Sequence, residues 1–329
     1  MPRQRLTSAG VLFRVAAGPR QGYGHLVRAT VVARAMGVRP RVAVRGGADA
    51  CRVARALGCD LVDGTAAALA GERRLSLLVI DDPCKRDADR WCRTFRRARV
   101  PVASIHDLGL AYCGADLTID GSVTQRGRHP RGAALVGPRF AILTPARSGA
   151  ARGRGDGPVL IALGGGRRQQ VALALAAAIR RRHAGMHVQI AAGFGPRVST
   201  RAPEGVSWLS APSGLAQALT EAVVVVAGGG VTLYEACRAG APSVGVAVVP
   251  AQRPAIEALA GRGAVLDGGT TRNIGAAVGQ VTRAIEQASL RRNLARRGPR
   301  LIDGLGVARV ARALLALCTR APAREERRP

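Results

Sequence analysis

The chain is poor in aromatics and almost free of lysine. Phe, Tyr and Trp make up 3% of its 329 residues, and Lys85 is the only lysine, so arginine fills the other 49 basic positions. Set against 21 acidic residues, these give a net charge of +29. Such a charge attracts anions in general. The arginines are scattered, however, and lack the interleaved aromatics of a single-strand binder. Specific nucleic-acid recognition is therefore not expected; the expected partners are nucleotides and, weakly, an anionic membrane surface. The shortage of lysine also removes the GxxxxGK[ST] phosphate loop, and the dinucleotide pattern GxGxxG is missing too. The seven cysteines (51, 59, 84, 92, 113, 237 and 318) include no CxxC pair. Their odd number and irregular spacing point to free, mostly buried thiols in a reducing, cytoplasmic compartment, without a metal site. No apolar run reaches the ~20 residues of a membrane helix. Arg14 interrupts the first apolar run, which reads as a strand and not as a signal peptide.

What is present is a regular alternation. Strands are expected near 11–16, 40–44, 75–81, 101–105 and 117–120, with helices near 25–36, 47–57 and 86–98. Residues 146–157, rich in Gly, Arg and Ser, break the rhythm and read as a linker. A second series follows, with strands near 159–163, 187–192, 222–227 and 243–248. Its helices are expected near 168–182, 213–220, 231–239, 252–262 and 273–286, and a last amphipathic helix over 304–318. Continuous apolar strands alternating with helices indicate parallel sheets covered on both faces. The expected organisation is two Rossmann-like α/β domains, residues 1–145 and 158–303, followed by a terminal helix and disordered tail over 304–329. A ligand is expected in a cleft between the domains, at the C-terminal ends of the strands.

Three glycine loops stand at strand-to-helix junctions. The first is "GYGH", with Gly22, Gly24 and His25. The second holds Gly164, Gly165 and Gly166, and the third Gly228, Gly229 and Gly230. Glycine lets a ligand approach the main chain, and a helix start offers free N–H groups and a partial positive charge, so each loop is a candidate phosphate site. A β-branched residue at Gly165 or Gly229 is expected to block that approach in a chain that still folds. Glu235, on the helix after the third loop, is placed to accept hydrogen bonds from ribose hydroxyls. His106 and Asp107 end a strand on the same side. His183 and His187 have i,i+4 spacing, but the glycine between them argues against a metal pair. His129 lies in a polar loop.

"GGGVTLYEACRAGAP" resembles the donor-site motif of two-domain (GT-B-like) nucleotide-sugar glycosyltransferases, including the enzyme that adds GlcNAc in peptidoglycan synthesis. The resemblance implies that Glu235 binds the ribose of UDP, with Thr232 and Gln252 also at the nucleotide-sugar. "FRVAAGPRQGYGHLVRA" is similar to the opening of the UDP-2,4-diacetamido-2,4,6-trideoxy-β-L-altropyranose hydrolases of pseudaminic acid synthesis. Arg14, Gly22, Gly24, His25 and Arg28 match that family's pattern, and "GPRFAILTPAR" and "LGGGRRQ" are similar to it as well. Ala16, the pair Asp82 and Pro83, and Ala251 stand where the family has Asp, His-Tyr and Asn. The nucleotide half of the site is therefore matched more fully than the sugar half.

The resemblance implies hydrolysis of a UDP-activated amino or deoxy sugar, with His25 as the catalytic base and neither metal nor cofactor. Two other readings stay open: a UDP-sugar-dependent glycosyltransferase of envelope polysaccharide assembly, and a silent nucleotide-sugar-binding protein. Neutral imidazole suits a base at physiological pH. A helix N-terminus is expected to lower the His25 pKa and favour that form.

Overall fold

A computed structural model describes residues 10–18, 21–109, 112–125, 132–145, 156–164, 168–193, 202–211 and 214–320. In chain order the elements are β1 (Val11–Ala16), α1 (Gly24–Met36), β2 (Arg41–Arg45), α2 (Ala48–Ala56), β3 (Asp60–Leu61), α3 (Ala66–Ala70), β4 (Leu77–Asp81), α4 (Lys85–Arg97), β5 (Val102–His106), β6 (Leu117–Asp120) and β7 (Ala133–Val136). There follow β8 (Val159–Ala162), α5 (Arg168–Arg182), β9 (Val188–Ala191), β10 (Val206–Leu209), α6 (Ala216–Glu221), β11 (Val224–Gly228), α7 (Val231–Ala239) and β12 (Ser243–Ala247). Last come α8 (Arg253–Gly261), β13 (Leu266–Thr270), α9 (Ile274–Glu286), α10 (Ala288–Leu301) and α11 (Gly306–Arg320). No described helix is long and apolar enough to cross a membrane.

The chain forms two compact units. Residues Met1–Ile142 and Leu305–Pro329 make the first, and Leu143–Gly304 the second. Each is a Rossmann-like α/β domain around one parallel sheet.

In the first unit the strand order is β3-β2-β1-β4-β5-β6-β7. Every residue of β1 is buried, as expected for a strand covered on both faces. Val11, Phe13 and Val15 pack with Leu26, Ala29 and Val32 of α1 and with Val310 and Leu314 of α11. Leu12, on the other face, packs with Leu78, Trp91 and Phe95 beneath α4. Helix α1 is thus covered by the sheet on one side and α11 on the other. It stops at Gly37 (φ 74°), where Val38 N donates to Ala33 O at 3.0 Å, a left-handed cap that glycine permits without strain.

The second unit has the order β10-β9-β8-β11-β12-β13. Val159, Ile161, Val224, Val226, Val244 and Val246 face Leu175, Ile179, Val278 and Val281 of α5 and α9. Helix α7 ends at Gly240 (φ 69°), and α10 lies close against it. A Cβ at Gly298 would meet Cys237 O at 2.5 Å, so glycine is required for that approach. Buried Arg291 donates to Ala284 O (2.8 Å) and Ile285 O (2.5 Å). It thereby satisfies carbonyls left open at the end of α9.

In both sheets the strand order reverses once, between β1 and β4 and between β8 and β11. Such a reversal leaves a crevice beyond the C-terminal strand ends, where α/β proteins bind ligands. The β1–α1 and β4–α4 connections flank it in the first unit, and the β8–α5 and β11–α7 connections in the second.

Candidate active site

At the reversal point of the first sheet, β1 runs into a loop closed by a pair of hydrogen bonds. Gly18 N donates to Gly22 O (3.1 Å) and Gly22 N to Gly18 O (2.7 Å). Gly22 has φ 82°, which explains its identity. Gly24 has no such reason: its φ is not positive, and a Cβ there would meet nothing within 4 Å. The space beside it is open, next to His25. No side chain caps the start of α1, and its first turn holds no acidic residue.

His25, the second residue of α1, reaches Asp81 at the end of β4, with Nδ1 2.8 Å from Oδ1. Arg28, one turn further along α1, grips the same carboxylate through Nε (2.7 Å to Oδ2) and Nη2 (2.6 Å to Oδ1). Asp81 is 1% exposed. Burial disfavours its charge, but the Arg28 and His25 charges and their hydrogen bonds outweigh it and hold the carboxyl well below the usual range. An ionised carboxylate only accepts, so Nδ1 carries the proton. The Arg28 Nη2 approach to Nδ1 at 3.2 Å is then a close contact between two donors. This tautomer leaves the Nε2 lone pair available as a base, and among the described residues Nε2 has no hydrogen-bond partner.

The expected lowering of the His25 pKa is reversed. Burial and the Arg28 charge do push it down, but the Asp81 charge and hydrogen bond, helped by Asp107, leave it above the ordinary 6.5. A direct ion pair outweighs the partial charge of a helix end.

Asp107 completes the cluster. It accepts from Arg28 Nη1 (2.9 Å) and Nη2 (3.2 Å). The turn after it is firmly held: Leu108, at φ 61°, donates to Ser122 Oγ (2.7 Å), and Gly109 N donates to Asp120 Oδ2 (2.6 Å). Left-handed backbone at leucine is strained and persists only where the surroundings impose it.

Several expected residues lie elsewhere. Arg14 points to the opposite face of the sheet. It donates to Asp87 (2.6 and 3.1 Å) and stacks 4.6 Å over Trp91, so it packs α4 against β1. Ala16 ends β1 and is buried. Asp82 is buried against Arg45 (2.6 and 2.7 Å) and accepts from Cys84 N (2.8 Å); Pro83 between them is exposed. His106 is buried, 2.8 Å from Ser104 Oγ and edge-on to Tyr112. His183 and His187 have separate partners, Thr282 (3.1 Å) and Ser207 (3.0 Å). Among the described residues no three His, Cys, Asp or Glu side chains are grouped to hold a metal. His129 lies outside the described residues.

In the second unit Gly164 follows β8 with φ 93°, and a Cβ there would lie 2.9 Å from Arg168 Nη1. Gly165 and Gly166 lie outside the described residues. Gly228 ends β11, and Gly230 starts α7 without any side-chain cap. The early N–H groups of α7, Thr232 among them, thus form a helix start of the kind that binds anions. Gly229 has a packing reason for its identity: a Cβ would meet Gln252 O at 2.8 Å and Ile256 Cγ1 at 3.0 Å. A β-branched residue there strains the fold, contrary to the sequence expectation. Gln252 accepts from Val248 N (2.9 Å) and lies over this loop; its neighbour Ala251 is exposed. Glu235 is half-buried on α7. Burial raises its pKa, against the pull of Arg238 and of hydrogen bonds with Thr144, whose carbonyl also accepts from Arg238.

Sequence reasoning passed over Asp81 and the Asp107–Arg28 pair. The signal was there: Asp81 ends the buried run "LLVID", next to the reversal point.

No protein-family model and no curated protein matches the chain. Solved structures do. The glycotransferase of kitacinnamycin matches with a TM-score of 0.67 at 14% identity, over 94% of this chain and 98% of that one. MurG of Acinetobacter baumannii matches with a TM-score of 0.66 at 16% identity, over 93% and 99%. The UDP co-structure of S. aureus MnaA matches with a TM-score of 0.60 at 12% identity, over 95% and 99%. At these identities what is shared is the fold, two Rossmann-like domains of the GT-B type.

Proposed function

We propose that the protein transfers a sugar from a UDP-sugar to an acceptor hydroxyl, with His25 as the general base. The observation that carries this is the His25–Asp81 pair at the reversal point of the first sheet. Nε2 takes the hydroxyl proton as the oxygen attacks the anomeric carbon. Asp81 holds the ring in the Nδ1–H tautomer and stabilises the imidazolium that forms. Arg28 keeps Asp81 ionised and fixed. UDP leaves with developing negative charge, which the starts of α5 and α7 are suited to stabilise. Glu235 is assigned to the ribose, with Thr232 and Gln252 beside the nucleotide. The glycosyltransferases among the structural matches favour transfer over hydrolysis.

Hydrolysis is the second reading, favoured by the match of Gly22, Gly24, His25 and Arg28 to the UDP-sugar hydrolase pattern. The same base would then activate water.

The test is a panel of UDP-sugars with and without candidate acceptors, scored for UDP, free sugar and transferred product. Transfer requires an acceptor for rapid UDP release; hydrolysis gives free sugar without one. His25→Asn should cost about 10²–10⁴ in rate, the scale of a general base, while UDP still binds. A fully active His25→Asn enzyme would overturn the assignment.

A further inference from the structure

Away from the His25 cluster, the fold sets two thiols against each other. Cys92 lies on α4 and Cys113 in the segment joining β5 to β6. Both belong to the core beneath α4, at 2% and 6% exposure. Two bonds pin that segment to the helix. Lys85 Nζ donates to Tyr112 O (2.8 Å), and Arg96 Nη1 donates to Gly114 O (3.0 Å). Residues 85, 92 and 96 are seven and four apart and so share one helix face. Cys92 therefore lies between the two pins on the helix, as Cys113 does on the facing segment. The two thiols are close enough to interact, and Cys113 also neighbours His106 and Ser104. The two titrate as a coupled pair: once one thiol has lost its proton, the other holds its own far more tightly.

Cys92 also has a way out. With Asp89, Arg93, Arg96, Arg97 and Gly114 it lines a cavity of about 460 Å³. Arg93 and Arg97 are exposed and have no ion-pair partner among the described residues. The cavity is cationic, with a thiol in its wall, and it favours small anionic reagents.

We propose that Cys92 and Cys113 form a redox-active dithiol, which closes to a disulfide on reaction with a small anionic disulfide admitted through the arginine-lined cavity. With the pair's remaining proton on Cys113, the Cys92 thiolate attacks one sulfur of the reagent. The reagent's S–S bond breaks, one thiolate leaves, and a mixed disulfide remains on Cys92. Cys113 then releases its proton to the departing thiolate and attacks the Cys92 sulfur. The Cys92–Cys113 bond forms and the second thiolate is expelled, taking a proton from solvent. Two cysteine thiols have been oxidised by two electrons and one disulfide reduced to two thiols.

The test incubates the reduced, folded protein with oxidised glutathione, blocks the remaining thiols, and maps peptides by mass. The expected product has lost two thiols per chain, carries no glutathione at these positions, and yields a Cys92–Cys113 linked peptide. Arg93→Glu with Arg97→Glu should slow its formation about tenfold at low salt, within the range of electrostatic steering. In Cys113→Ser, Cys92 should stop at the mixed disulfide. The wild-type map alone decides the matter if a variant fails to fold. Half-buried Cys51 and Cys84 becoming glutathionylated while Cys92 and Cys113 stay reduced would overturn the proposal. So would a link that forms only in denaturant.

Discussion

Replacing Asp81 by Asn probes the proposed mechanism without changing side-chain size. The carboxylate accepts three charge-assisted hydrogen bonds, one from His25 at 2.8 Å and two from Arg28 at 2.6 and 2.7 Å. An amide has one acceptor oxygen: placed at Oδ1 it keeps the His25 bond and one Arg28 bond but turns its NH2 against Arg28 Nε, and placed at Oδ2 it turns the NH2 against both His25 and Arg28 Nη2. In either orientation a donor loses its partner, and the negative charge that stabilises the imidazolium is gone. A hydrogen bond to a charged group contributes about 1.5–3 kcal/mol, or roughly 10–150-fold in rate. The lost stabilisation of the imidazolium acts in the same direction. Asp81 is also the group that raises the His25 pKa against burial and Arg28. In the variant the acidic limb of the kcat/KM–pH profile should therefore move to lower pH. The assay is acceptor-dependent UDP release across pH, with UDP affinity by calorimetry alongside. A variant within twofold of wild type, with the same pH profile, would refute the role given to the pair.

The same groups make stability depend on pH with a definite sign. His25 is raised above 6.5, so its contribution is complete below 6.5 and is lost as pH rises through its folded value. Asp81 is lowered below 3.8, so its contribution is present above 3.8 and is lost as pH falls; urea midpoints should be highest between these limits and flatten in Asp81→Asn. Glu235→Ala should weaken UDP binding by about 1–3 kcal/mol. Because the Glu235 pKa is raised above 4.5, wild-type affinity should fall on acidification sooner than for an ordinary glutamate; an unchanged Kd in the variant removes Glu235 from the ribose. Gly229→Val should cost about 1–3 kcal/mol of stability by overpacking, seen as a lower denaturant midpoint, because the new Cβ meets Gln252 and Ile256.

The long elements were legible in the sequence because burial on both faces writes unbroken apolar runs. β1, β4, β8 and β11, and the helices after them, fall where the alternation puts them. The elements passed over carry weak local signals. β13 reads "LDGGT", α3 is five residues of Ala and Leu, β3 has two residues, and β7 and β10 are edge strands. Helix α10 holds Gly298 and Pro299 among its arginines, which argues against a helix locally. Its glycine is explained only by the approach of α7. The site divides in the same way. His25 was visible because a glycine loop delivers it to a helix start. Asp81 was not singled out, because the partnership spans 56 residues and depends on β1 lying beside β4. Arg14 matches a motif, but strand parity places it on the face with Leu12, away from α1.

The return of α11 to the first unit has a consequence for how the chain is made. The second unit is one continuous stretch, Leu143–Gly304, whereas the first is built from both ends of the described chain. During synthesis the second unit can close as soon as Gly304 has emerged. The first must wait, with Leu26, Ala29, Val32 and Ala33 lacking the cover that Val310, Ala311 and Leu314 later supply. Domains generally fold in N-terminal order as they are made. Here the order is inverted: the domain begun first is finished last, and a ribosome stalled before Leu305 holds a complete second unit tethered to an unsealed first one.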